Sequence, residues 1–247
     1  MRQKILFIFF LQTLLSYPEV FKYQYIVGDK YRVECTIEGK QFVNSIFLAS
    51  YFQEYKTVSL VRDCKDDIAT IFESYFYYNK NSFVTSEIKE LKENVDVSYS
   101  RDKQGRMTVS NTDYLPTLRN APFFLESDVK PGDKWDVPAY EVQDLFGDKK
   151  ISIFPIDVYY TFVGYEELNG KKLAKIYYEF NINLTNSTNY KIDDRIISVN
   201  GNSKTTLYFD NKLGIKVKEI YNRDYTFEIN DYGVVKYVEF IDKGERN

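Results

Sequence analysis

The chain has 247 residues, a formal net charge of −3 and 44% apolar residues, enough apolar mass for one large β domain or two small ones. Its 33 basic and 36 acidic residues are interleaved without a basic stripe, which argues against nucleic-acid binding. Histidine is absent, which removes Ser-His-Asp and Cys-His nucleophiles, histidine general bases and almost every common zinc site.

The first predicted element is a leader. Arg2 and Lys4 precede an apolar run closed by the polar, turn-prone Ser16-Tyr17-Pro18. A membrane-spanning helix needs about 20 apolar residues, so the run reads as a secretory signal peptide over residues 1–16, cut near Ser16 or Tyr17. No later segment is apolar and long enough to span a bilayer as a helix. The expected location is outside the cytoplasm, in the periplasm or associated with the outer membrane. Neither cysteine follows the apolar run, so a lipid-anchored form is not expected.

From Phe21 the pattern is strands and tight turns. Phe21, Tyr23, Tyr25 and Val27 form a nearly period-2 run, Gly28-Asp29 turns, and Tyr31, Val33, Cys35 and Ile37 then share one face opposite Arg32, Glu34, Thr36 and Glu38. Strands are predicted near Phe42–Tyr51, Lys56–Arg62 and Ile68–Tyr78, giving an antiparallel meander over 17–112. Ser86–Glu93 is long enough for two helical turns. Val95, Val97 and Tyr99 alternate, and the loop ending at Gly105 returns the chain to Met107 and Val109. Residues 113–150 hold four of the six prolines and read as an extended connector with little regular structure. A second meander fills 151–247, through Ile151–Ile153, Val158–Tyr165, an Asn169-Gly170 turn, Leu173–Asn183, a polar loop over Asn183–Asn189, Ser203–Phe209, Ile215–Tyr221, Tyr225–Ile229 and Val234–Ile241. The connector and second meander pack with the first as one domain or stand apart. The expected fold is mainly β, with antiparallel meanders forming a curved sheet, sandwich or half-barrel. The 23 Tyr and 19 Phe against 2 Met and 1 Trp suit half-buried strands, although an A/T-rich genome produces part of the same bias.

In an oxidising compartment Cys35 and Cys64 would close a loop of about 30 residues, worth about 3 kcal/mol; the alternative is two separate buried thiols. Gly28-Asp29-Lys30-Tyr31-Arg32-Val33 is echoed by Gly132-Asp133-Lys134-Trp135-Asp136-Val137. Each reads as a turn delivering an aromatic residue into a strand, and a remnant duplication is the other reading. Trp135 is a ligand-cleft or core aromatic, with a core plug under the connector favoured. Asp63-Cys64-Lys65-Asp66-Asp67 gathers three carboxylates but lacks the glycine of a calcium loop, so it reads as a solvated turn, as does Asp193-Asp194-Arg195. Asn183-Leu184-Thr185 and Asn186-Ser187-Thr188 fit the N-glycosylation pattern. No residue nominates a catalytic centre, a cofactor or a metal.

The ordered set from Phe21-Lys22-Tyr23-Gln24-Tyr25 and Gly28-Asp29-Lys30-Tyr31-Arg32, through Ser100-Arg101-Asp102 and Leu115-Pro116, to Arg119-Asn120-Ala121-Pro122, Val129-Lys130-Pro131-Gly132-Asp133-Lys134-Trp135 and Gly164-Tyr165-Glu166-Glu167 resembles the β-rich region of the OmpA-family envelope proteins of spirochaetes. In that family a peptidoglycan-gripping domain follows. It is not expected here, so peptidoglycan anchoring does not carry over. The resemblance implies an envelope location and transfers no site residue.

The leading functional expectation is a non-enzymatic envelope protein, a periplasmic scaffold or interaction module for other envelope proteins. The alternative is a carrier whose aromatic-lined curved sheet encloses a lipid or another apolar ligand. An outer-membrane barrel is disfavoured by charges such as Arg32, Glu34 and Glu38 on the outer strand faces, because lipid penalises a basic residue there by about 2–4 kcal/mol.

Overall fold

The computed structural model describes residues 19–79, 90–186 and 190–245. The expected leader lies outside them, as does the first half of the expected Ser86–Glu93 helix. The strands are β1 (Lys30–Val43), β2 (Ile46–Lys65), β3 (Ile68–Asn79), β4 (Glu90–Asp102), β5 (Met107–Thr108), β6 (Leu118–Arg119), β7 (Lys134–Gln143), β8 (Ser152–Leu168), β9 (Lys171–Thr185), β10 (Ile196–Asp210), β11 (Ile215–Ile229) and β12 (Gly233–Glu245). They form one sheet in the order β5-β4-β3-β2-β1-β12-β11-β10-β9-β8-β7-β6. Every ladder is antiparallel, and the sheet curls into a nearly closed barrel. Among the described residues no helix is long and apolar enough to cross a membrane.

Period-2 patterning produces the inner and outer faces. On β8, Phe154, Ile156, Val158, Tyr160 and Phe162 are buried, while Asp157 and Tyr159 between them are exposed. On β1 the two faces divide as the alternation predicts, with Tyr31, Val33 and Ile37 turned to the interior. Short left-handed turns join the strands. Asn169 and Gly170 have φ of 52° and 75°, as a hairpin turn of this length requires.

Several expectations are corrected. The predicted Phe42–Tyr51 strand is split by Asn44 and Ser45, both at positive φ, a conformation that asparagine tolerates. Glu90–Glu93 belongs to β4 and not to a helix, because its residues pair with Tyr77–Asn79 of β3. Asn183–Thr185 is ladder and not loop, and Ile215–Ile229 is one strand. The connector is more ordered than its prolines suggest, since it contributes β6 and the ten-residue β7. Pro138 fits there because β6 covers β7 only at Tyr140 and Glu141; opposite Asp157 of β8, its missing N–H costs no ladder bond on the open side.

Phe21–Tyr25 keeps its predicted alternation, with Phe21 and Tyr23 buried and Lys22 and Gln24 exposed, but Val27 is exposed, and the segment joins no ladder. It is inserted into the barrel as a plug. Phe21 packs edge-on against Phe162, and Phe124 of the connector packs against Phe209. The β4–β5 turn clips both plug segments in place, with the Tyr23 N–H donating to Lys103 O and the Phe124 N–H to Gln104 O, each at 2.8 Å. Gly105 sits at φ 110°, and a Cβ there would lie 2.4 Å from Pro122 O, so no other residue fits this close approach.

The two Gly-Asp-Lys segments adopt the same arrangement. The Gly28 N–H donates to Val61 O and the Val61 N–H to Asp29 O; likewise the Gly132 N–H donates to Phe162 O and the Phe162 N–H to Asp133 O. Each turn thereby docks onto the strand that follows its own, β2 for the first and β8 for the second.

The interior is unevenly filled. One large cluster packs β7–β11 against the plug, around Phe124, Phe154, Phe162, Phe180 and Phe209. A smaller one, around Val61, Ile71, Val97 and Leu115, lies under β2–β4. Between them the barrel is open.

Candidate ligand cavity

The open part is a cavity of about 800 Å³ bounded by β1–β4, by β10–β12 and by the plug. Among the described residues thirteen tyrosines line it, but only one phenylalanine, Phe227. The fully buried phenylalanines lie on the close-packed side, and the cavity wall is aromatic with hydroxyl edges. Apolar side chains lie between the tyrosines, among them Val33, Ile37, Val61, Ile71, Leu115 and Ile241. Such a wall suits a ligand that is apolar along its length and polar at defined points.

Three of the carboxylates facing the cavity are held by neighbours. Glu73 accepts hydrogen bonds from Ser59 Oγ at 2.7 Å, from the Tyr75 hydroxyl at 2.6 Å and from the Tyr99 hydroxyl at 3.4 Å. Glu219 is met by Lys216 Nζ at 3.0 Å and by the Tyr178 hydroxyl at 3.2 Å. Glu239 accepts from the Tyr51 hydroxyl at 2.5 Å. Burial holds Tyr75 and Tyr99 well above the ordinary phenol range, so both remain protonated and able to donate.

Two arginines project inward. Arg223 of β11 reaches Glu141 of β7, while its Nε has no partner. Arg101 of β4 packs 4.1 Å over the Tyr23 ring and donates from Nε to the Tyr25 hydroxyl at 2.8 Å. The Tyr25 hydroxyl in turn donates to Asp102 O at 3.0 Å. The plug therefore shapes one end of the cavity and positions the Arg101 side chain.

The residues singled out from sequence fall elsewhere. Cys35 and Cys64 are free thiols, which corrects the expected bridge. The β1–β2 register sets Cys35 opposite Tyr55, and Cys64 lies nine residues further along β2, roughly 30 Å at strand spacing. Trp135 is buried in the large cluster, stacked on Tyr160 at 5.1 Å and donating from Nε1 to Phe123 O at 3.0 Å; it does not line the cavity. Asp66 and Asp67 form the β2–β3 turn at positive φ. Asp193 is buried and ion-paired to Arg195, which also bonds Asp148, so the pair ties two loops together instead of facing solvent. Among the described residues no group of three or more metal-ligating side chains forms. Sequence reasoning missed Arg101, Glu73, Glu219 and Arg223. The available signal was parity, since Val95, Val97 and Tyr99 lead to Arg101, and Glu219, Tyr221, Arg223 and Tyr225 share one face.

No family model matches the chain, and no curated protein matches it. Solved structures do match along most of its length. One is described as an exported protein with a YmcC-like fold from Bacteroides fragilis, at 13% identity and TM-score 0.33, covering 90% of this chain and 97% of its own. A second is described as a lipoprotein from Parabacteroides distasonis, at 11% identity and TM-score 0.33, with the same coverage of each chain. The lipoprotein YmcC from Escherichia coli matches at 12% identity and TM-score 0.27, over 88% of this chain and 89% of its own.

Proposed function

We propose that the protein is an exported, non-enzymatic envelope protein that carries or holds an amphipathic ligand inside its barrel. The observation that supports this most is the unfilled cavity of about 800 Å³ beside an interior that is otherwise packed with phenylalanines. Protein interiors are normally close-packed, and a space of this size falls in the range of ligand sites. The non-enzymatic reading is supported by the absence of histidine and by three of the cavity's carboxylates, Glu73, Glu219 and Glu239, being engaged already by hydroxyls or a lysine. The basic and apolar leader supports export, and the resemblance to spirochaetal envelope proteins is kept as a proposal about source.

Native mass spectrometry of the protein isolated gently from its own envelope tests the reading. A retained lipid-sized adduct is expected. A bare monomer at full recovery would overturn it.

One observation favours the scaffold reading. At the β1–β2 hairpin tip Ile46, Phe47 and Leu48 are 71%, 53% and 60% exposed, a larger apolar display than a monomer's hairpin needs. A stoichiometric protein complex in the same spectrum, lost on Phe47→Asp, would establish it.

A further inference from the structure

We propose that Arg101 is the anion anchor of the cavity, and that the ligand is an amphiphile with a carboxylate or phosphate head and an apolar tail. The inference rests on the cavity being a binding site, and adds the head group and its receptor. Stacking on Tyr23 and donation to Tyr25 fix the guanidinium but use only one of its five N–H donors. No carboxylate among the described residues forms an ion pair with it, and Glu73, Glu219 and Glu239 are engaged elsewhere. A guanidinium drawn out of bulk water without a counter-ion is costly. Its remaining planar fork, on a residue that lines the cavity, matches carboxylate and phosphate oxygens two at a time.

The surroundings reinforce the sign. Lys216 near the start of β11 and Lys243 near the end of β12 line the same end of the cavity as Arg101, and Lys216 offsets the nearby Glu219. Toward the opposite end the lining carries Glu93, Asp144 and Glu239 against the cation Lys149. A head group at the Arg101 end leaves the tail to run between Val33, Ile37, Val61 and Ile71. A neutral ligand would fill the space and leave the guanidinium without a counter-ion.

The test uses dansyl-labelled undecanoic acid and its methyl ester, titrated into the mature protein at pH 8 with fluorescence as the readout. The wild type should prefer the acid by about tenfold to a hundredfold, as expected for hydrogen bonds to a charged group. Arg101→Met, which keeps an apolar stem over Tyr23, should remove the preference and leave the ester affinity unchanged. Arg101→Lys, which keeps the charge but not the fork, should restore part of it. Displacement of the acid probe by oleic acid against oleoyl lysophosphatidic acid then distinguishes a carboxylate from a phosphate head. Equal binding of acid and ester by the wild type, or a preference that survives Arg101→Met, would overturn the anchor alone. Failure of both probes to bind would overturn the binding-site reading with it.

Discussion

Arg223 of β11 meets Glu141 of β7 at 3.5 Å, although β10, β9 and β8 separate their strands in the sheet. The contact is a chord across the barrel interior, and it joins the cavity side to the packed side. Glu141 is fully buried and also accepts from Gln143 Nε2 at 2.5 Å. Burial outweighs the pull of the guanidinium, and the Glu141 carboxyl is pushed up to about 7 from its ordinary 4.5.

The sign of the resulting pH dependence is fixed. Between about 4.5 and 7 the folded state holds a proton that the unfolded state has released, so this group's contribution declines as pH rises through that window, by at most about 1.4 kcal/mol per unit. Urea unfolding at half-unit steps should show the decline, and Glu141→Gln should flatten it. Arg223→Met should cost about 3 kcal/mol at pH 8, where it strands a buried carboxylate, and much less at pH 5. Equal cost at both pH values would refute the assignment.

Gly39 of β1 is the seat of a tyrosine. A Cβ there would lie 2.1 Å from the Tyr51 ring, and Gly201 of β10 stands in the same relation to Tyr225 at 2.3 Å. Gly39→Ala should therefore displace Tyr51 from Glu239 and cost about 1–3 kcal/mol. In a Tyr51→Ala background the same change should cost almost nothing. Strictly additive effects in this double-mutant cycle would show that the ring does not need the glycine.

The thiols provide a third check. Burial pushes Cys35 up to about 11, which leaves almost no thiolate at pH 8. Alkylation of the native protein should label Cys64 first and reach Cys35 only in denaturant, read as one adduct and then two by mass. Dithiothreitol should leave Tm unchanged. A drop of more than a few degrees would reinstate the bridge.

Trp135 should report on the packed side. Stacked on Tyr160 and bonded to Phe123 O, it should emit at short wavelength, and occupancy of the cavity should not quench it. Trp135→Phe leaves the buried Phe123 carbonyl without a donor and should cost about 1–3 kcal/mol. Strong quenching by a cavity ligand would show that the two sides are not separate.

Much of the fold was legible because alternation is a local property. Tyr31, Val33 and Ile37 identify the inner face of β1 from sequence alone, and Asn169-Gly170 marks the β8–β9 hairpin. Where a strand's role depends on a distant partner, local pattern failed. Phe21–Val27 has strand periodicity, but its position among Phe124, Phe162 and Phe209 excludes it from a ladder. Pro138 looked like a breaker because nothing local reveals that β7 is nearly an edge. The site was hidden for the same reason. Nothing in the local pattern sets Arg101 and Glu73 apart from surface charges; the curvature of the whole sheet turns their face inward.

The first and last strands lie side by side, with Ile37 paired to Ile241, 204 positions later in the chain, and the edges of the sheet come from mid-chain. Each meander pairs strands that are neighbours in sequence and is suited to forming by itself. The β1–β12 ladder must await the final strand, and such long-range closure is slow. Because the cavity wall draws on both meanders, it exists only after that last ladder has closed. A chain stopped short of Gly233 would retain most of its strands and lack the cavity.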